Sequence, residues 1–111
     1  MGADSTLVFY GVRFAVAPVE SETLETRRDS RVLLARKFGL DHWWGDFATA
    51  AGEREQFLFV GAKHSQIGYE GEFEKRICRS RLTELMDQIE DKLSCAGLDG
   101  EPELHVQFQP D

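Results

Sequence analysis

Residues 7–14 read Leu-Val-Phe-Tyr-Gly-Val-Arg-Phe, and residues 57–64, fifty positions later, read Phe-Leu-Phe-Val-Gly-Ala-Lys-His. The two octapeptides share a Phe and a Gly at the same places, and a basic residue follows the Gly by two in each. Apolar side chains alternate in both copies with the period of a β-strand. The repeat predicts a single domain built from two similar halves, residues 6–50 and 55–109.

The alternation of side chains gives each of these two strands two distinct faces. Around the first copy it extends over residues 6–17, and Pro18 ends the strand because proline cannot donate to a β-ladder. We expect one face to pack beneath helices: Val8, Tyr10, Val12, Phe14 and Val16, with Leu58, Val60, Ala62 and His64. The opposite face then carries Leu7, Phe9, Gly11, Arg13 and Ala15, with Phe57, Phe59, Gly61 and Lys63.

Two helices and two further strands are predicted from the remaining pattern. Residues 20–38 have acidic side chains early and basic side chains late, which is the order that the helix dipole favours. Residues 72–96 carry apolar side chains at three- and four-residue steps, as an amphipathic helix does. Aromatic side chains within residues 41–49 favour a strand. Residues 103–109 alternate between apolar and polar side chains and predict a final strand.

The order strand, helix, strand, strand, helix, strand is that of the ferredoxin-like βαββαβ sandwich, an α+β fold. It has one antiparallel sheet with two helices on one face. Both predicted helices end in Gly-Leu-Asp, at residues 39–41 and 97–99, which agrees with two similar halves. In folds of this kind the first and third strands are neighbours at the sheet centre. The alternative, in which residues 43–49 form a loop, leaves a sheet of three strands.

Composition limits the classes of function. The chain has 111 residues, with 41% hydrophobic and 30% charged residues, as globular proteins have. Twenty acidic against 13 basic residues give a formal net charge of −7, which repels nucleic-acid backbones and anionic membranes. Cys78 and Cys95 lack the spacing of a zinc site. We therefore expect a cytoplasmic protein with no cofactor or metal and no membrane or nucleic-acid partner.

The face opposite the predicted helices is the candidate binding surface. It presents the four large apolar side chains of Leu7, Phe9, Phe57 and Phe59, and such a cluster exceeds what monomers usually expose. Basic and polar residues are expected at its rim. Of the tryptophan pair at residues 43–44, either one ring points outward, where tryptophan is often an energetic hot spot, or both pack under the edge of the sheet and the loops. The full predicted partner-binding set is Phe9, Phe57, Phe59, Arg13, Lys63, His105 and Trp44.

Two kinds of protein partner are predicted to cover this open aromatic face. One is a second copy of the chain, since two-fold homodimers are the commonest oligomers. The other is a different protein, as for a small acidic inhibitor or immunity-type protein that binds a basic partner. The function predicted is that of a small acidic protein-interaction module. Phe59→Asp is expected to break the assembly without unfolding the monomer, because that side chain is buried only in the complex.

A third candidate partner for this face is single-stranded RNA. It is indicated by a resemblance of two strands to a known RNA-binding family. Phe57-Leu58-Phe59-Val60, together with Phe9, resembles the aromatic positions of the RNA-recognition motif, whose exposed rings stack on bases. The sequence departs from the motif at residues 55–56, where Glu-Gln replaces a basic residue and Gly. The net charge also disfavours RNA, so this reading is the weaker one.

An enzyme is the remaining alternative. No nucleophile elbow, His-Glu-x-x-His helix or glycine-rich phosphate loop is present in the sequence. Of the three histidines, His105 is the best candidate base, because it is expected on the open face near Arg13 or Lys63. A cofactor-free active site or small-ligand pocket within a dimer of this fold therefore stays open as an alternative.

Overall fold

The computed structural model describes residues 4–68 and 72–110, and its four strands form one antiparallel sheet in the order β2-β3-β1-β4. The strands are β1 (Ser5–Ala15), β2 (Asp41–Ala48), β3 (Arg54–Gly68) and β4 (Glu103–Gln109). A 3-10 turn (Pro18–Glu20) and two helices, α1 (Ser21–Glu25) and α2 (Ser30–Lys37), connect β1 to β2, and α3 (Arg79–Ala96) connects β3 to β4. The predicted α+β class, with an antiparallel sheet, is confirmed, and residues 43–49 are a strand rather than a loop over most of their length.

The two copies of the octapeptide pair with each other at the centre of the sheet. β1 and β3 run antiparallel, with Gly11 opposite Gly61 and Val12 opposite Val60. Residues opposite each other in a ladder share a face. The side chains of β1 and β3 therefore divide between the two faces of the sheet as their alternation predicts. The helices lie on the face that carries Val12 and Val60. This helix side is one hydrophobic core, made by Tyr10, Val12, Leu24, Val32, Ala35, Leu40, Leu58, Val60, Ala62, Ile89 and Leu93.

The first predicted helix is interrupted, because its middle residues form a turn and a new helix start. The backbone N–H groups of Arg28 and Asp29 both donate to the carbonyl of Thr23, at 2.7 and 3.1 Å, which ends α1. The Asp29 carboxylate then accepts from the backbone N–H of Arg31 at 2.9 Å and caps α2. The Arg31 guanidinium binds the same carboxylate and that of Glu20, both at 2.8 Å, which fixes the turn.

The second predicted helix begins at Arg79, not at residue 72. The backbone of Glu72 instead lies beside the end of β3, where it forms a bridge with Ile67: its N–H donates to the Gln66 carbonyl at 3.0 Å and its carbonyl accepts from the Gly68 N–H at 3.1 Å. Phe73, expected in the apolar stripe of that helix, is 82% exposed. The sequence pattern also predicts that Ile67 and Tyr69 extend strand β3. Ile67 lies in β3, whereas residues 69–71 lie outside the described residues. None of the described helices has the length and apolar character needed to cross a membrane.

The sheet curls strongly toward the face opposite the helices. Gly11 and Gly61 have φ values of 155° and 156°, and a Cβ on either would lie 2.2 Å from a carbonyl oxygen of the facing strand. A β-bulge interrupts the β1–β3 register between Val8 and Phe9. Glycine kinks and bulges are the features that bend sheets. The curl brings the edge strands β2 and β4 together, where the Gln107 amide nitrogen donates to the Ala48 carbonyl at 3.3 Å.

The close approach of the two glycines predicts a large loss of stability for Gly61→Ala. The added Cβ meets the Tyr10 carbonyl oxygen at 2.2 Å, so the strands must separate or the residue must leave its present φ. We expect a loss in the free energy of unfolding by urea that exceeds the roughly 1–2 kcal/mol that a positive φ alone costs a non-glycine residue. Gly52→Ala is the control, because Gly52 also has a positive φ, 81°, but has nothing within 4 Å of the added Cβ. Equal losses in the two variants would contradict the close approach.

The buried hydroxyl of Tyr10 is expected to make the protein less stable at alkaline pH. Its hydroxyl donates to Glu90 at 2.9 Å and ties α3 to the sheet. Burial, followed by the hydrogen bond to Glu90, raises the Tyr10 pKa from 10.0 to about 12. Because the folded-state pKa is raised, the stabilisation is complete below pH 10 and is lost as the pH rises toward 12. Urea unfolding at several pH values should show this loss, and Tyr10→Phe should reduce it; an unchanged loss in the variant would contradict the assignment.

Candidate interaction surface

The predicted open aromatic face is closed within the monomer. Phe9 and Phe59 are 0% exposed and Phe57 is 4% exposed. The curl of the sheet moves Phe47 of β2 over them, and its ring meets that of Phe59 edge-on at 5.1 Å between centroids. With Leu7, these rings form a second hydrophobic core. The expectation that the three rings are bare in the monomer is wrong, and Phe9 and Phe59 have no surface on which a partner or a base could rest.

The basic residues predicted at the rim of the aromatic face lie at two separate positions on the sheet. Arg13 stays near the aromatic core, with its guanidinium carbon 4.1 Å from the centroid of the Phe57 ring and a hydrogen bond of 3.1 Å to the Gln107 side-chain oxygen. Lys63 lies apart from this group, with Nζ 4.1 Å from the centroid of the Trp43 ring. The structure therefore brings Arg13 and Phe57 together and leaves Lys63 at another part of the sheet.

His105 has a structural contact rather than the free ring expected of a base. Its Nε2 lies 3.2 Å from the Gly11 carbonyl, which can only accept, so this nitrogen donates. The ring also meets Phe59 edge-on at 5.2 Å between centroids. Burial is the largest cause that lowers the pKa of His105, and the charge of Arg13 acts in the same direction. The neutral His105 ring thus packs at the edge of the second hydrophobic core.

Trp44 lies on the helix side of the sheet, not on the predicted open face. It pairs with Leu58 across β2 and β3 and packs against the helix-side core, half-buried. Trp43 takes the opposite face, where its indole N–H donates to Gln109 at 3.2 Å. The tryptophan of the pair that sequence reasoning placed outside is therefore the one packed under the helices.

A row of three exposed apolar side chains lies on β4, where sequence reasoning did not place it; Val19, Leu33 and Phe73 are also exposed, on other parts of the chain. Leu104, Val106 and Phe108 are 56%, 66% and 44% exposed, and they share one face of the strand. The alternation of side chains along β4 predicts that these three lie on the helix side of the sheet. They do lie on that side, opposite Tyr10, Val8 and Thr6 of β1. The helix α3 packs over β1 and β3, so it leaves these three side chains uncovered. We call them the β4 apolar row.

The backbone of β4 has a free edge beside this row. Within the described residues β4 pairs only with β1, and its single charged residue, Glu103, stands at its start. The other edge strand, β2, carries exposed Asp41 and Asp46. Proteins commonly protect sheet edges with charges, so β4 is the unprotected edge. Along it runs a groove of about 700 Å³ whose other wall is the β2–β3 loop at residues 48–51.

An acidic margin borders the β4 apolar row. The carboxylates of Glu90, Asp87 and Glu101 all act on the Tyr10 hydroxyl and raise its pKa. Tyr10 is the direct neighbour of Leu104 across the β1–β4 ladder. The three carboxylates therefore lie close to one end of the row. The surface combines a bare strand edge, three apolar side chains and a cluster of negative charge.

Comparison with known proteins identifies no relative: no protein-family model matches the chain, and neither does any curated protein or solved structure. Within residues 4–68 and 72–110, no three His, Cys, Asp or Glu side chains gather closely enough to hold a metal ion.

Burial of the aromatic rings changes the expected effect of a substitution at Phe59. Phe59→Ala removes a ring with no exposed surface, so we expect it to lower the free energy of unfolding by about 3–5 kcal/mol. Urea unfolding of the monomer measures this. Phe73→Ala is the matched control, because Phe73 is 82% exposed and should lose less than about 0.5 kcal/mol. A similarly small loss at Phe59 would mean that the aromatic face is open.

Proposed function

We propose that the protein is an interaction module of ferredoxin-like type that docks an extended segment of a basic protein along β4. The observation that carries the proposal is the β4 apolar row on an unprotected sheet edge. The fold type is supported by the central pairing of β1 with β3 and by the order of helices and strands along the chain. An inhibitor or immunity-type role is one form that such docking takes.

Addition of a strand to β4 uses two kinds of interaction. The free N–H and C=O groups of β4 pair with those of the incoming segment, which supplies affinity largely independent of sequence. Every second side chain of that segment then lies beside the β4 apolar row. Covering the exposed parts of Leu104, Val106 and Phe108 contributes roughly 1 kcal/mol each. Specificity therefore comes from the side chains of the segment that face the helix side.

The acidic margin favours a basic partner over a second copy. The chain has a net charge of −7, and Glu90, Asp87 and Glu101 lie close to one end of the row. Long Lys or Arg side chains of a partner can rest their stems on the row and place their charges at these carboxylates. A second copy instead brings a second acidic margin to the same place. Like charges facing each other disfavour that assembly at low salt.

Self-association through β4 is a second candidate, and the strand sequence favours it in one respect. Two antiparallel copies centred on Val106 set Leu104 opposite Phe108 of the second copy and Val106 opposite itself. Glu103 then faces Gln109, so no like charges oppose each other within the ladder. This arrangement joins two apolar rows into one surface. It is expected to strengthen as salt screens the acidic margins.

A synthetic peptide of about eight residues in which arginine and valine alternate is the probe for docking. We expect calorimetric titration to show saturable binding that weakens as salt is raised. Val106→Arg should weaken it at least tenfold, because it breaks the row and adds a repelling charge. Val19→Arg is the matched control: Val19 is 86% exposed, away from the sheet, and the variant has the same net charge. Equal weakening by both variants would contradict docking at β4.

Light scattering after size exclusion, over a hundredfold range of concentration and at two salt concentrations, separates the two candidates. The docking proposal expects a monomer at low salt. A dimer that strengthens with salt and is lost in Val106→Arg supports self-association instead. A dimer that Val106→Arg leaves intact would contradict both, because the contact would then lie away from β4.

A further inference from the structure

Residues 72–78 lie at the surface between the end of β3 and the start of α3. Residues 73–77 belong to no helix or strand, and within the described residues their backbone groups form no hydrogen bonds with other backbone groups. Phe73 is 82% exposed, and of the other four only Ile77 is half-buried. We call residues 73–77 the connecting segment. Its backbone N–H and C=O groups are available for pairing with a strand of another molecule.

The sequence of the connecting segment suits addition to a β-strand. Phe-Glu-Lys-Arg-Ile contains neither Gly nor Pro, the residues that weaken or interrupt strands. In an extended conformation successive side chains point to opposite faces, so Phe73, Lys75 and Ile77 share one face. Apolar, basic and apolar side chains follow one another on that face. A segment with this pattern can cover the β4 apolar row and bring a positive charge to the acidic margin.

Residues 72–81 form a basic stretch on an acidic protein. They contain four basic and two acidic residues, whereas the whole chain has a net charge of −7. Lys75 Nζ lies 3.6 Å from Glu72 Oε1, and Arg76 Nε lies 3.6 Å from Glu74 Oε1, but all four side chains are exposed. Ion pairs in contact with solvent contribute little to stability. These cations can therefore exchange their present partners for the carboxylates of another molecule.

The connecting segment does not cover the β4 apolar row of its own chain. The side chains of that row are exposed, and so is Phe73. A contact between the segment and the row therefore joins two molecules. The two contacting surfaces differ, so the contact is heterologous, and each copy donates one segment and accepts another. This geometry brings a basic stretch to the acidic margin, whereas pairing of two β4 strands brings a second acidic margin.

We propose that the connecting segment of one copy docks along β4 of a second copy, head to tail. The inference rests on the proposed docking at β4 and adds the identity of the partner. Phe73 lies beside the β4 apolar row, and the Lys75 ammonium group approaches the acidic margin. Opposite charges at the contact favour it, while the net charge of −7 on each whole copy opposes it at low salt. Head-to-tail association is therefore expected in concentrated protein at moderate salt.

A synthetic peptide of residues 72–81 tests the proposal without the repulsion between whole copies. Titrated into isotope-labelled protein, it should move the backbone NMR signals of residues 103–109 saturably, with binding that weakens as salt is raised. Val106→Arg in the protein should weaken this binding at least tenfold, because it adds a repelling charge to the row. A control peptide carrying Phe73→Ser and Ile77→Ser keeps every charge and should bind at least tenfold more weakly. Equal binding of the two peptides, or no saturable movement, would overturn the proposal.

The peptide of alternating arginine and valine distinguishes failure of this inference from failure of the proposed function. Binding of that peptide at β4, without binding of the peptide of residues 72–81, leaves β4 as a docking site but excludes the second copy as its partner. Absence of binding by both peptides contradicts docking at β4 as well.

Two variants of the full chain, mixed together, test the contact between whole molecules. Phe73→Asp removes the donated surface and Val106→Arg removes the accepting surface, so neither should associate alone, and their mixture should form a dimer that grows no further. NMR measurement of translational diffusion in concentrated protein detects this. Val19→Asp is the matched control for Phe73→Asp, because it places the same charge on an exposed apolar residue elsewhere and should associate as the unaltered protein does. A mixture that remains monomeric, or association of Val106→Arg alone, contradicts head-to-tail docking.

Discussion

The close contact of two backbones at Gly11 and Gly61 is the constraint on which the rest of this structure depends. Any side chain at either position would strike the carbonyl oxygen of the facing strand, so the approach requires glycine in both copies of the octapeptide. With the bulge beside it, this contact lets the two central strands bend toward one face. The bend has two results: one face of the sheet becomes a closed aromatic core, and the edge strands β2 and β4 come together.

Closure of that face changes which surface is left for a partner. A flat sheet would bury one face under helices and expose the aromatic rings on the other. In the curled sheet the rings stabilise the monomer, and a row of exposed apolar side chains lies on β4, beyond the reach of α3. Their position on a bare strand edge, next to the carboxylates of α3, combines apolar area with negative potential. A basic segment in an extended conformation matches both properties.

The sequence determined much of the architecture, and the parts that it did not determine have physical causes. Alternation in the octapeptides assigned Val12 and Phe9 to opposite faces correctly, because a period of two leaves one choice once a face is buried. The bounds of β4 were predicted for the same reason. The curl was not, since a glycine in a strand indicates a bend only when the residue opposite it is known. Phe47 covers the rings only after that bend, so the closed core depends on tertiary contacts absent from any local pattern.

The helices and the candidate sites illustrate the same limit. Asp29 is a residue type that caps helices, but the charge pattern of residues 20–38 predicted one continuous helix. The break between α1 and α2, which opens a cavity beside Trp44, was therefore not predicted. The start of the second helix was misplaced because Glu72 bonds to the end of β3, a contact that its apolar periodicity does not reveal. Exposure of the β4 apolar row depends on where α3 lies across the sheet, which sequence pattern alone does not specify.

The most direct test of this account is solvent paramagnetic relaxation of side-chain NMR signals by a soluble paramagnetic agent. The curled sheet predicts strong relaxation of the Leu104 and Val106 methyl groups and almost none for the ring protons of Phe9 and Phe59. Strong relaxation of those ring protons, together with protected Val106 methyl groups, would show that the aromatic face is open and that β4 is covered, and it would contradict the account.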